Sequence, residues 1–219
     1  MGSLSSFYKS TVGMKAAMAV TGLILVGFVT MHMLDNLQIF MGAEAINGFA
    51  AGLREHMILL WTARLVLLAS VLVHIYSAVI LTLRSRAARP QPYVKREDQA
   101  ATFASRTIVY GGTILVLYII LHLMHFTFGS IHPSFKQGDV YDNVVTGFSS
   151  LPVVLLYVAA NLVLGLHLYH GAYALTRSLG FTDPRFTRAA RALATGLAFV
   201  VAGGNVLIPI LVYLRIGIA

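Results

Sequence analysis

The sequence contains no cysteine. That absence excludes disulfides, thiolate metal sites, cysteine-ligated iron–sulfur clusters and covalently attached c-type haem within this chain. Acidic residues are also scarce, with eight Asp and Glu against sixteen Lys and Arg. None of the eight falls in a long apolar run. A carboxylate-bridged di-iron bundle, which draws Glu-x-x-His motifs from facing helices, therefore has no ligands here. A catalytic zinc site would usually add a carboxylate and solvent access to its histidines. Charged residues of all kinds make up only 11% of the chain, too few to cover a soluble domain.

Apolar residues take their place. They are 58% of the sequence, and the mean hydropathy is +0.78. Five runs are long enough to cross a bilayer core, which needs about 20 helical residues: Ala16–Leu34, Met57–Leu83, Thr107–Gly129, Leu151–Thr176 and Ala192–Leu214. A membrane-spanning β-strand would be about half as long. The expected fold is an all-α integral membrane bundle of five transmembrane helices, forming one domain over residues 1–219. No cleavable leader is evident; the first run follows Lys9 and Lys15 but is long enough to span.

A net charge of +8 invites a nucleic-acid reading, but the cations follow topology. Arg84, Arg86, Arg89, Lys95, Arg96 and Arg106 flank the connection between the second and third runs. Arg177, Arg185, Arg188 and Arg191 flank that between the fourth and fifth. The other two connections hold only Arg54 and Lys136 beside five acids. This positive-inside asymmetry predicts a cytoplasmic N-terminus and an outer C-terminus in the cell membrane. A basic face of this kind suits anionic lipid and partner subunits and implies no nucleic acid. Between Asp35 and His56 the sequence predicts a short amphipathic helix on the outer surface. Pro90 and Pro92 break the cytoplasmic connection, Pro152 suits a first helical turn, and Pro209 with Gly203 and Gly204 predicts a kink in the last helix.

The chemistry lies in the histidines. Six of eight fall in or beside the apolar runs: His32, His74, His122, His125, His167 and His170. An ionisable residue in hydrocarbon is costly and marks function by default. One such histidine is as readily a helix–helix hydrogen bond; four consecutive spans each offering one are harder to explain that way. With the predicted orientation, His32 lies about two residues from the outer end of its span and His122 about seven. His74 and His167 each lie about nine residues from the inner end of theirs. Two depth-matched pairs result, one outer and one inner, each drawn from two helices. Two b haems with bis-histidine ligation would require this arrangement. A histidine relay for proton or ion transport would not require matched pairs, and no buried acid partners it. A bundle that takes both ligands from one helix about four turns apart is excluded, because no span has that pair. Depth favours His167 over His170 as the partner of His74. For the outer pair it leaves His122 and His125 both open.

Four segments resemble the cytochrome b subunit of succinate dehydrogenases and fumarate reductases, in its single-chain, five-helix, dihaem form. They are KAAMAVTGLILVGFVTMHMLDNLQIFMG, ARLVLLASVLVHIYSAVILTLRSRAARPQPY, RTIVYGGTILVLYIILHLMHF and GLHLYHGAYALTRSLGF. The resemblance covers nearly the whole chain. It implies axial ligands His32, His74, His122 and His167, the first histidine of each His-x-x-His being the ligand. It also implies two haems b, a quinone substrate expected to be menaquinone, partner flavoprotein and iron–sulfur subunits at the cytoplasmic face, and a possible higher oligomer of that complex. Haem propionates need cationic partners. Arg64, the one charge well inside a span, is the candidate at the outer haem, and Arg106 and Arg177 are candidates at the inner. Some proteins of this fold carry a glutamate two residues before the ligand in the fourth span. Here that position is Gly165, which leaves such a proton route without its acid. The dihaem cytochromes of hydrogenases, formate dehydrogenases and nitrate reductases are the nearest alternative.

Overall fold

The computed structural model describes residues 8–88, 103–178 and 183–218. Among them are seven helices: α1 (Thr11–Asn36), α2 (Ala43–Glu55), α3 (Met57–Ala87), α4 (Phe103–His122), α5 (Val140–Gly147), α6 (Leu151–Ser178) and α7 (Pro184–Tyr213). A 3₁₀ turn, Leu37–Met41, links α1 to α2, and a wide π turn, Leu123–Thr127, continues α4. Five helices are long and apolar enough to cross a membrane: α1, α3, α4 with its π turn, α6 and α7. The fold is the expected all-helical bundle. Arg89, Pro90, Pro92, Lys95 and Arg96 lie outside the described residues, as does the side chain of Arg177.

The spans exceed the apolar runs because capping, rather than hydropathy, sets their ends. Ser10 caps α1, its hydroxyl accepting from the Gly13 N–H at 3.0 Å. The helix thus begins at Thr11 rather than Ala16. Asp183 does the same for α7, accepting from the Arg185 N–H at 2.7 Å, with Pro184 in the first turn. That adds eight residues before Ala192 and brings Arg185, Arg188 and Arg191 onto the helix. Helix α7 remains continuous across Pro209.

Packing divides the bundle unevenly. The α6–α7 interface is the most extensive, followed by α1 against α3 and α4 against α6, while α1 also touches α6 and α7. Lipid tails are as apolar as leucine, so close approach rather than water exclusion draws these helices together. Gly204 on α7 shows this: a Cβ there would run into the Met33 thioether of α1, so a larger residue would force that buried methionine to shift. By contrast, α1 with α4, and α3 with α6, make at most marginal backbone contact.

One end of the bundle is capped. Helix α2 packs against α5, and a cluster of Ile39, Ile46, Phe148, Val154, Tyr157, Ile208 and Val212 fills the space beneath. The segment Asp35–His56 holds the expected short amphipathic helix, α2, on the surface of the bundle, docked through its one buried residue, Ile46, at 3% exposed. Polar bonds explain the docking. Asn47 Nδ2 donates to Asp139 Oδ1 at 3.1 Å, and Asn47 Oδ1 accepts from the Tyr141 N–H at 3.0 Å. Asp139 also accepts from the Asp142 N–H at 3.1 Å, capping α5. Helix α5 was not foreseen; its eight residues are too short and polar to register in a hydropathy window. The opposite, basic end carries Arg84, Arg86, Arg106 and Arg185.

The Asp142 N–H, and secondarily Asn47, hold the Asp139 carboxyl below its ordinary value of 3.8. A depressed folded-state pKa gives stability that is complete above the unfolded value and is lost as pH falls through the folded one. Asp139→Asn should therefore lower thermal stability at neutral pH, with its deficit relative to wild type shrinking below about pH 4. Calorimetry of the detergent-solubilised protein from neutral to acid pH measures this.

Candidate metal centres

Four half-buried histidines meet in two pairs across the bundle. The rings of His32 on α1 and His122 on α4 lie 5.8 Å apart, centre to centre, at 85°. Those of His74 on α3 and His167 on α6 lie 6.3 Å apart at 56°. The helices that carry each pair are those that scarcely pack. The imidazoles thus bridge an interval that the backbones leave between them.

Two independent helices measure the separation of the pairs. On α1, Thr21 faces His74, its Oγ1 lying 3.3 Å from the ring Nδ1; His32 follows eleven residues later. On α4, a Cβ at Gly112 would lie 3.8 Å from His167 Cε1, and His122 follows ten residues later. At about 1.5 Å rise per residue, both place the pairs on levels about 15–17 Å apart. The His32–His122 level is nearer the cap, and the His74–His167 level nearer the basic end.

These residues fit a metal held between two imidazoles. Two imidazoles sharing one metal through bonds of about 2.0 Å would have ring centres about 6 Å apart. Both pairs have that spacing. His122 Nδ1 and His167 Nδ1 are fully buried with no hydrogen-bond partner. Each level therefore keeps one ring nitrogen that the protein does not satisfy. Among the described residues no three His, Cys, Asp or Glu side chains gather at one point. Two protein ligands alone leave most of a metal's coordination open. A cofactor that brings its own equatorial donors, as haem does, completes such a site. An apolar cleft of about 230 Å³ runs beside the second pair, lined by His167, Gly111, Val163 and Leu166, with Thr107 and Tyr110 toward the basic end.

The structure separates the members of each His-x-x-His. His122 faces His32, whereas His125 is buried in the cap and hydrogen-bonds the Tyr157 hydroxyl through Nδ1 at 2.9 Å. The π turn begins immediately after His122 and contains His125, and such turns recur at functional sites. His132 lies 5.2 Å from the His125 ring, centre to centre. Its Nδ1 accepts from the Ser134 N–H and its Nε2 donates to the Asn143 carbonyl, which fixes one neutral tautomer. His170 is half-buried on α6, one turn beyond His167. Gly165 packs against α7, where a Cβ would stand 2.9 Å from Ala202 Cβ. That position has no room for a longer side chain.

The candidate cations are placed less closely. Arg64 is exposed, with its guanidinium 5.1 Å above the Trp61 ring. Arg106 is exposed near the start of α4, next in sequence to Thr107 of the apolar cleft. Sequence reasoning missed Thr21, Tyr118 and Tyr157. Tyr118 and Tyr157 meet edge to face at 5.2 Å and flank His122 at 5.8 and 5.9 Å. Isolated hydroxyls on apolar runs carry no pattern that hydropathy can read.

Fold and site together define a multi-pass helical membrane protein built around two interhelical histidine pairs. A model of the succinate dehydrogenase/fumarate reductase transmembrane subunit family matches residues 84–204, more than half of the 219, and the chain belongs to that family. The matched stretch contains His122 and His167; His32 and His74 precede it. No curated protein and no solved structure matches the chain.

Tyr157→Phe should leave His125 Nδ1 buried without its partner at a cost of about 1–3 kcal/mol. The thermal midpoint should fall accordingly, while the double variant Tyr157→Phe, His125→Leu recovers part of the loss.

Proposed function

We propose that the chain is the membrane-anchor cytochrome b of a succinate:quinone oxidoreductase, with His32 and His122 holding one b haem and His74 and His167 holding a second. The observation that carries this reading is the pair of imidazole couples at metal-bridging distance, on helices that do not otherwise pack. The capped end is taken as the outer side and the basic end as the cytoplasmic side, in the cell membrane.

When bound, the haems supply reversible one-electron transfer, linking the iron–sulfur clusters of a partner to a quinone, expected to be menaquinone. The chain's own residues do the rest. The imidazoles set ligand identity and spacing at two depths. The apolar faces of α4 and α6 exclude water at the inner level. Arg84, Arg86, Arg106 and Arg185 give the basic end the charge to dock an iron–sulfur subunit, which must be a separate chain because this one has no cysteine. A flavoprotein would complete the complex. Arg106 and Arg177 are assigned to the inner propionates and Arg64 to the outer. The histidine-relay alternative has no support, because the buried polar side chains among the described residues include no acid.

The test is a dithionite-reduced minus oxidised spectrum with a pyridine haemochrome assay on the native complex. Two haems b per chain are expected; their absence from carefully purified protein overturns the proposal. Co-purification of a flavoprotein that oxidises succinate separates this reading from other quinone-linked dihaem cytochromes. His167→Ala should lose one haem and His170→Ala should keep both, read from the same spectra.

A further inference from the structure

The two imidazoles at the inner level are not equivalent. His167 Nδ1 is buried and has no partner. His74 Nδ1 lies 3.3 Å from Thr21 Oγ1. The direction of that bond follows from where the hydroxyl proton goes. Thr21 Oγ1 donates backward to the Ala17 carbonyl at 2.8 Å, with the Met18 carbonyl at 3.2 Å. A hydroxyl has one proton and two lone pairs. With its proton committed to α1's own backbone, Thr21 accepts from His74, whose ring also meets the Met18 carbonyl one turn back on α1. His74 therefore carries its proton on Nδ1 and presents the Nε2 lone pair.

The neighbourhood is built for this contact. Thr21 is buried, 9% exposed, in the middle of a span where a hydroxyl has no solvent to bond. Gly22 lies beside it, and a Cβ there would come within 3.4 Å of His74 Cε1, tight enough to press on the ring. On α3, Ser70 and Ser77 flank His74 at helical spacing and are likewise buried. The face of α3 that meets α1 is thus polar through a full two turns, with Thr21 opposite its central histidine.

We propose that Thr21 is a positioning residue for the inner haem: it fixes the tautomer and ring orientation of His74, making that ligand the more electron-donating of the two axial imidazoles. A hydrogen bond from the distal ring nitrogen raises the basicity of a metal-bound imidazole, and a more basic axial ligand favours the oxidised iron. Thr21 therefore lowers the potential of one haem without touching it. The proposal rests on the reading that His74 and His167 hold a haem.

The test is a redox titration of the full complex, followed by optical and low-temperature EPR spectra, for wild type, Thr21→Val and Thr21→Ser. The wild-type haemochrome assay comes first; absence of haem there overturns the parent reading and is recognised before any variant is compared. With two haems present, Thr21→Val keeps the shape and removes the hydroxyl acceptor, leaving only the Met18 carbonyl beside the ring. One haem should then be easier to reduce, its reduced-to-oxidised ratio rising about threefold or more at the wild-type midpoint, with a changed EPR signature. The second haem should be unmoved, and Thr21→Ser should restore the wild-type values. The affected haem should be the one lost in His167→Ala. Unchanged potentials in Thr21→Val, equal shifts in both haems, or a serine variant that behaves like valine would each overturn the proposal. If Thr21→Val loses one haem outright, the serine variant decides: a normal haem supports the role, and its loss there too overturns it.

Discussion

Each histidine pair must close across helices that barely touch, and the rest of the bundle is arranged around that constraint. In hydrocarbon there is no gain from hiding leucine from water, so helices pack where small residues let backbones approach. Here those contacts lie on the flanks. Gly204 takes in Met33, and Gly165 takes in Ala202. They fix α7 as a brace behind α1 and α6. The inward faces of α1, α3, α4 and α6 are then free to keep their distance, and imidazoles cross between them at two levels.

The two ends of the bundle solve different problems. At the capped end, Asn47, Asp139, Asn143 and His132 knit two loop helices into a lid over a cluster of aromatic and branched side chains. At the basic end the helices carry arginines, and the apolar cleft opens beside His167. One end is finished by its own residues; the other offers charge to something beyond it. That contrast matches a subunit of a larger assembly, which is what its family supplies.

Much of the fold was legible because hydropathy and loop charge are long-range averages that five spans cannot hide. The site was legible for a different reason: a histidine in lipid is rare enough to be counted one at a time. Depth placed His74 level with His167, and the structure brings those rings together. Depth alone left His122 and His125 open, since counting assumes an unbroken helical rise and α4 widens just there. The cap was not legible, because α5 is short and its docking rests on single hydrogen bonds such as Asn47 to Asp139. Span ends were missed by five to eight residues where Ser10 and Asp183, rather than apolarity, set the start. The role of Thr21 leaves no trace in composition; it appears only when its hydroxyl is followed to both of its partners.

The wide turn after His122 changes how a repeated motif should be understood. His-x-x-His occurs twice, as His122 to His125 and as His167 to His170. In regular helix α6 the two members stand about 60° apart around the axis and share a face. In α4 the extra residue per turn swings the second member further round, out of line with the first. The same four letters therefore denote two neighbours in one place and two separate addresses in the other, with His125 assigned to the lid and His122 to the interior. An insertion or deletion anywhere in Leu123–Thr127 would act as a change of phase: the lid would turn against the bundle while every residue inside the bundle stayed where it was.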